Sequence, residues 1–309
     1  MILAPMQGLT EVLFRRVYEE CFPGAVGLAV SPFLSLTHNM QFAGPKARRL
    51  FLRDVLPENN EGSIPVVPQI LGKEPEEFVE LAAMLCDLGY DEVNWNMGCP
   101  MRAVTSKHRG SGILPYPDEV RRLLDEVMPR LRCRLSVKVR LGLKDKEEIF
   151  GIVPVLNDFP LASVTVHPRT GRQGYGGVPD LEAFGRVLPL VKAPVIYNGD
   201  ICSAGDARRI RERFPSVAEL MVGRGLLYNP TLPLEMDEAQ RQHEAKRFIR
   251  RLVQEIKETL PTEQAMLRKS KEYWCLSWKS LAISEAEARK VLRADQWAVV
   301  DNLIDVFTQ

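Results

Sequence analysis

Residues 94–114 read Asn-Trp-Asn-Met-Gly-Cys-Pro-Met-Arg-Ala-Val-Thr-Ser-Lys-His-Arg-Gly-Ser-Gly-Ile-Leu, and they carry side chains suited to chemistry. Asn96 and Cys99 stand three apart at the end of a short apolar strand. A basic loop that contains glycine and is free to move follows them. An asparagine amide offers one acceptor and two donors, which can grip an amide-like edge. A thiol can act as nucleophile or as proton donor.

Other candidates stand at the ends of other apolar runs. Pro5 and Met6 follow Ile2–Ala4, Gln69 lies within Val66–Ile70, and Lys138 and Arg140 end Leu135–Val139. His167 and Arg169 follow Ser163–Val166. Asn198-Gly199-Asp200 follows Val195–Tyr197, and Gly223-Arg224-Gly225 follows Leu220–Val222. With Val26–Val30 and Glu92–Asn96 these make eight strand-like segments, most of them separated by amphipathic helical stretches. Glu76–Leu85, stopped at Gly89, is one such helix, and Pro117–Leu124 is another. Eight strand–helix units in about 230 residues predict a closed (β/α)8 barrel, whose active site lies at the carboxyl ends of the strands. No Gly-x-Gly-x-x-Gly turn follows the first strand, which argues against an open doubly wound sheet.

In a barrel of this kind the loops after strands seven and eight form the usual phosphate site. Asn198-Gly199-Asp200 and Gly223-Arg224-Gly225 occupy those two places, and Arg224 adds a charge. Lys138 alternates with Val137 and Val139 and so points into the barrel. A buried ammonium needs an anion or an acceptor. Two readings follow: a Schiff-base lysine, or a cation set against an electron-rich cofactor ring.

Composition bounds the rest. The chain has 309 residues, 45% of them hydrophobic and 26% charged, with a formal net charge of +1. That is a globular composition, and the net charge decides nothing about nucleic acid. No apolar run is long enough for a membrane span, and the start does not read as a signal peptide. The six cysteines are scattered without metal-ligand spacing, as expected of reduced thiols in a cytoplasmic protein that binds no metal. After Pro230 the pattern becomes wholly helical, interrupted near Pro261. The expected division is residues 1–235 for the barrel and 236–309 for a small helical domain.

These motifs together resemble the tRNA-dihydrouridine synthases, a family of flavin-dependent (β/α)8-barrel enzymes with a helical C-terminal domain. The resemblance rests on Ala4-Pro5-Met6-Gln7-Gly8-Leu9-Thr10, Gln69-Ile70-Leu71-Gly72 and Asn96-Met97-Gly98-Cys99-Pro100. It continues through Val104, Lys107, Gly110-Ser111, Lys138-Val139-Arg140, His167-Pro168-Arg169-Thr170, Gly174-Tyr175 and the two glycine-containing tripeptides. It spans residues 2–230. It implies that Pro5, Met6, Gln69, Lys138 and His167 hold the ring of FMN, and that Asn198, Gly199, Asp200, Gly223 and Arg224 surround its phosphate. Asn96, Arg140 and Tyr175 would hold a flipped-out uracil, with Cys99 as general acid and NADPH as reductant. The implied partner is tRNA, bound by a monomer. Glu11 stands where the family has an aspartate.

An RNA partner requires a local basic surface. Between Lys246 and Lys271 eight basic residues face three acids, a local charge of +5. Tyr273, Trp274 and Trp278 lie beside it, suited either to stacking on RNA or to the core of the helical bundle. The rival readings are an FMN barrel reductase acting on a free pyrimidine, in the manner of dihydroorotate dehydrogenase, and a flavin-free lyase built on Lys138.

Overall fold

The computed structural model describes residues 1–36 and 44–309. The eight expected strands form and close in sequence order into a parallel barrel. They are β1 Ile2–Leu3, β2 Leu28–Leu34, β3 Val66–Ile70, β4 Glu92–Met97, β5 Arg134–Gly142, β6 Val164–Thr170, β7 Val195–Asn198 and β8 Glu219–Val222. Closure runs through Ile2 opposite Met221 and Leu3 opposite Val222.

Three strands differ from their expected bounds by more than one residue. β2 begins two residues later and runs on past Pro32 through an irregularity between Val30 and Phe33. A proline inside a strand hides its second half from an alternation count. β5 and β6 continue beyond their apolar runs, with Arg140 opposite His167 and Gly142 opposite Thr170. Arg140 and His167 are therefore strand residues, not loop residues. Their polarity concealed the continuation, because hydrogen bonds rather than apolar packing cover them.

The pleat sorts the side chains. On β4, Val93, Trp95 and Met97 are buried in the layer shared with the surrounding helices. Trp95 meets Phe78 of helix Pro75–Asp87 edge to face at 6.1 Å. Asn94 and Asn96 alternate with them and face the barrel interior. Register sets Asn94 beside Gln69 and Ser136, and Asn96 beside Lys138. Helix Pro75–Asp87 starts with proline and two acids, and the chain leaves it at Gly89, whose φ of 95° a side chain would resist.

Four helices follow the barrel: Glu238–Thr259, Glu263–Ser277, Glu285–Arg293 and Trp297–Thr308. The first begins in a reciprocal cap between Asp237 and Gln240. It packs on helix Val12–Cys21 of the barrel, where Phe248 lies 5.6 Å from Phe14, 5.9 Å from Tyr18 and 5.7 Å from Phe22. The barrel and the helical region thus share one apolar cluster.

The basic stretch is more neutral than its composition implied. Arg247, Arg251, Lys257, Arg268 and Lys269 pair with Glu244, Glu20, Asp301, Glu272 and Glu11, all outside residues 246–271. Tyr273 and Trp274 are buried, and the Trp274 indole donates to the Ala288 carbonyl at 3.0 Å. These two rings belong to the core and are unavailable for stacking on a nucleic acid. All six cysteines are free. Among the described residues, no group of three or more His, Cys, Asp or Glu could hold a metal, and no helix is long and apolar enough to cross a membrane.

Candidate functional site

A cavity of about 340 Å³ opens at the carboxyl ends of the strands. The structure brings together at this cavity every residue given a role by the resemblance, while Arg169, the other strand-end candidate, does not line it. Pro5, Met6, Gln69, Asn96, Cys99, Lys138, Arg140, His167, Tyr175, Asn198, Gly199, Asp200, Gly223 and Arg224 all line it.

A chain of amide hydrogen bonds crosses its floor. Asn94 Nδ2 donates to Ser136 Oγ at 2.9 Å, and Gln69 Nε2 donates to Asn94 Oδ1 at 2.8 Å. Asn96 Nδ2 donates to Gln69 Oε1 at 2.8 Å. Asn96 Oδ1 then accepts from the backbone N–H of Gly98 at 3.1 Å and of Cys99 at 2.9 Å. The Asn96 oxygen is thereby occupied, which leaves one amide N–H for a ligand. Its larger job is to aim the turn that carries Cys99.

The loop after Cys99 is pinned rather than free. Ser111 donates to the Cys99 carbonyl from both its backbone N–H and its hydroxyl, each at 3.0 Å. A Cβ on Gly110, at φ 56°, would fall 2.7 Å from that carbonyl oxygen, so only glycine fits. Arg109 pairs with Glu77 at 3.3 Å. Next to it, His108 stacks on Tyr116 with ring centres 4.1 Å apart and meets Glu119 at 2.9 Å. The Cys99 thiol is half-buried, and burial raises its pKa above the ordinary thiol value against the pull of Arg140 and Lys138. Burial thus favours the protonated thiol.

Three cations and a neutral histidine form one wall. Lys138 has no hydrogen-bond or ion-pair partner among the described residues, and burial, aided by Arg140, brings its amine down to about 7. Arg140 is buried and donates from Nε to Gly98 O at 2.8 Å and from Nη1 to Thr170 O and Gly174 O at 3.0 and 2.8 Å. Burial lowers it to about 10. Its Nη2 has no partner among the described residues. Desolvation and the surrounding cations hold His167 well below the ordinary histidine range. Arg224 lies 4.4 Å over the Tyr175 ring, which is 52% exposed at the cavity mouth.

At the far end, the turns after β7 and β8 interlock. A Cβ on Gly225 would lie 1.9 Å from the Ile201 carbonyl oxygen, and one on Gly223 would press on Met6 and Ala4. Helix Arg224–Tyr228 starts there, and no side chain of its N-cap residue Gly223 caps the N–H groups of its first turn. Asp200, at φ 44°, is clamped between Arg169 and Arg224, so its carboxylate serves the arginines. An unpartnered amine on one wall, N–H groups and Arg224 at one end, and apolar walls suit a flat ring with an electron-rich edge joined to a phosphate.

Asn94 and Ser136 escaped the sequence reading, and Ser111 entered it only as a motif match without a role. Asn94 and Ser136 were legible in principle, since each precedes an inward residue by two. Ser111 acts through contact with a residue twelve positions away, which no local pattern announces.

The family model for dihydrouridine synthases matches residues 2–301. The chain is 30% identical over 233 residues to tRNA-dihydrouridine synthase B of Pasteurella multocida, covering 75% of this chain and 67% of that protein. It is 30% identical over 245 residues to tRNA-dihydrouridine(16) synthase of Pseudomonas putida, covering 77% and 73%. Among solved structures, morphinone reductase shares the fold, with a TM-score of 0.51 and 16% identity, covering 75% of this chain and 84% of that one.

Proposed function

The chain belongs to the dihydrouridine synthase family, and from that premise we propose that it reduces specific uridines of tRNA to 5,6-dihydrouridine, with FMN as cofactor and NADPH as reductant. The observation that carries the reading is Lys138. Among the described residues its amine has no partner, in a cavity also lined by Cys99, the two glycine-containing turns and two arginines. A buried ammonium is tolerated where a ligand supplies the acceptor. Fully partnered surroundings would have argued for a structural lysine.

In this reading Pro5, Met6, Gln69, Lys138 and His167 hold the ring, with Lys138 donating to its pyrimidine edge. Asn198, Gly199, Gly223 and Arg224 enclose the phosphate, and Asp200 sets Arg224. The bound flavin supplies hydride to carbon six of uracil. The protein does the rest. Asn96 gives its spare N–H to the uracil edge, Arg140 Nη2 reaches a uracil oxygen, and Tyr175 stacks. Cys99 Sγ–H delivers the proton to carbon five. A uracil stacked in RNA is out of reach, so it enters flipped. Free-pyrimidine reduction is not favoured, because the relatives are named for tRNA uridines.

Residues 236–309 serve as the RNA-facing domain. Lys246 and Lys271, which have no ion-pair partner among the described residues, contact phosphate there. The enzyme works as a monomer in the cytoplasm and needs no metal.

The test is nucleoside mass spectrometry. Purified protein is incubated anaerobically with NADPH and tRNA from cells lacking the gene. A rise in dihydrouridine supports the reading. No rise, from a yellow and NADPH-reducible protein, sinks the tRNA substrate.

A further inference from the structure

Arg169 is 1% exposed and does not line the cavity. A guanidinium has five N–H groups and no acceptor. In Arg169 each of the five has a partner. Nε donates to Gly176 O at 3.1 Å. Nη1 donates to Asp200 Oδ1 at 2.9 Å and meets His167 Nε2 at 3.2 Å. Nη2 donates to Gly177 O at 2.7 Å and to Asp200 Oδ2 at 2.5 Å.

The contact with His167 has a single chemical reading. Arginine keeps its protons, so His167 Nε2 must present a lone pair. An imidazole with a bare Nε2 is neutral and carries its proton on Nδ1. That nitrogen has no partner among the described residues, and the ring lines the cavity.

We infer that Arg169 is a positioning residue that holds His167 as the neutral Nδ1–H tautomer, so that His167 offers the cavity an uncharged N–H donor for an acceptor atom of a bound heteroaromatic cofactor. The identity of that ligand rests on the proposed function; the tautomer does not. The groups facing the ring agree. Lys138 and Arg140 from β5, Arg169 from β6 and Arg224 beyond β8 all oppose a positive imidazole. The nearby carboxylate, Asp200, already serves two arginines. The same guanidinium ties the 176–177 turn and Asp200 to the ring, so one residue sets the histidine proton and the position of Arg224.

The experiment is NMR of protein labelled with 15N-histidine, with and without FMN, the His167 signal being assigned through His167→Gln. Long-range correlation spectra report which ring nitrogen holds the proton. A protonated Nδ1 and a bare Nε2, unchanged from about pH 5 to 8, support the inference. A protonated Nε2, or an imidazolium in that range, overturns it. Arg169→Lys then tests the cause. In the folded variant the Nε2–H tautomer of His167 should appear, and FMN should bind about tenfold more weakly, roughly the worth of one buried hydrogen bond. A His167 signal unchanged in the folded variant overturns the role of Arg169. Should that variant fail to fold, the wild-type scalar coupling between His167 Nε2 and an Arg169 Nη1 reads the contact, and its absence overturns it. A protein that shows the tautomer but takes up no FMN keeps the inference and sinks the cofactor assignment.

Discussion

The backbone N–H of Cys99 lies 2.9 Å from Asn96 Oδ1 and donates to it. The thiol turn is therefore hung from the barrel wall, and through Gln69 and Asn94 from three neighbouring strands. Asn96→Ala removes both the hook and the spare amide donor. The expected result is a protein that still folds and binds FMN, with kcat for tRNA down about 100-fold, the order reached by a 1 Å misplacement of a reacting group. Single-turnover kinetics check it. An unchanged rate would contradict the positioning argument.

Cys99→Ala should leave FMN binding and NADPH oxidation intact and stop uracil reduction. Loss of bound flavin in this variant would count against the assignment as proton donor. In the native enzyme the thiol must be protonated, and burial raises its pKa. Turnover by this group should thus hold through neutral pH. It should decline on the alkaline side, later than an ordinary thiol would dictate. A pH–rate profile falling between pH 6 and 8 through this step would contradict it.

Lys138 has a folded pKa of about 7, below its usual 10.5. The unfolded chain binds that proton more tightly, so the group opposes folding. The opposition is full below about pH 7 and gone above about 10.5, and stability of the cofactor-free protein should climb with pH across that window. Lys138→Met removes the cost. It should stabilise the cofactor-free protein at neutral pH by about 1–4 kcal/mol, flatten this pH dependence, and abolish tight FMN binding. Urea denaturation with and without FMN measures both effects. A destabilised variant would mean that the amine has a structural partner.

The helical region reaches back to the cavity. Tyr273 donates its hydroxyl to the Leu9 carbonyl at 3.0 Å, and Lys269 donates to the Gly8 carbonyl at 2.8 Å and pairs with Glu11 at 3.2 Å. These contacts hold the turn that brings Pro5, Met6 and Leu9 to the cavity. Tyr273→Phe removes the donor to a partly buried carbonyl, at about 1 kcal/mol. The melting temperature should fall and FMN affinity should drop with it. A fall in melting temperature with unchanged FMN affinity would show that the turn is held by other contacts.

Much of this molecule is legible along the chain. The eight apolar runs dictate strands, and alternation around Lys138 dictates that its amine faces inward, because a pleated strand has a period of two. Closure of the barrel brings the strand ends together, so residues read singly at those ends meet in one cavity. What the chain does not display is how polar groups spend their hydrogen bonds. Asn96 was legible as an amide; that Gln69 and the Cys99 turn use up its oxygen was not, since register alone aligns β3 with β4. Arg169 was visible at a strand end, but its hold on Asp200 depends on β6 and β7 lying side by side. Helical spacing put Trp274 and Trp278 on one face without saying which way it turns. Packing against the neighbouring helices decided that Trp274 is core. Local periodicity encodes which side of an element is apolar; which groups it meets depends on contacts between residues far apart in sequence, and only the folded chain creates them.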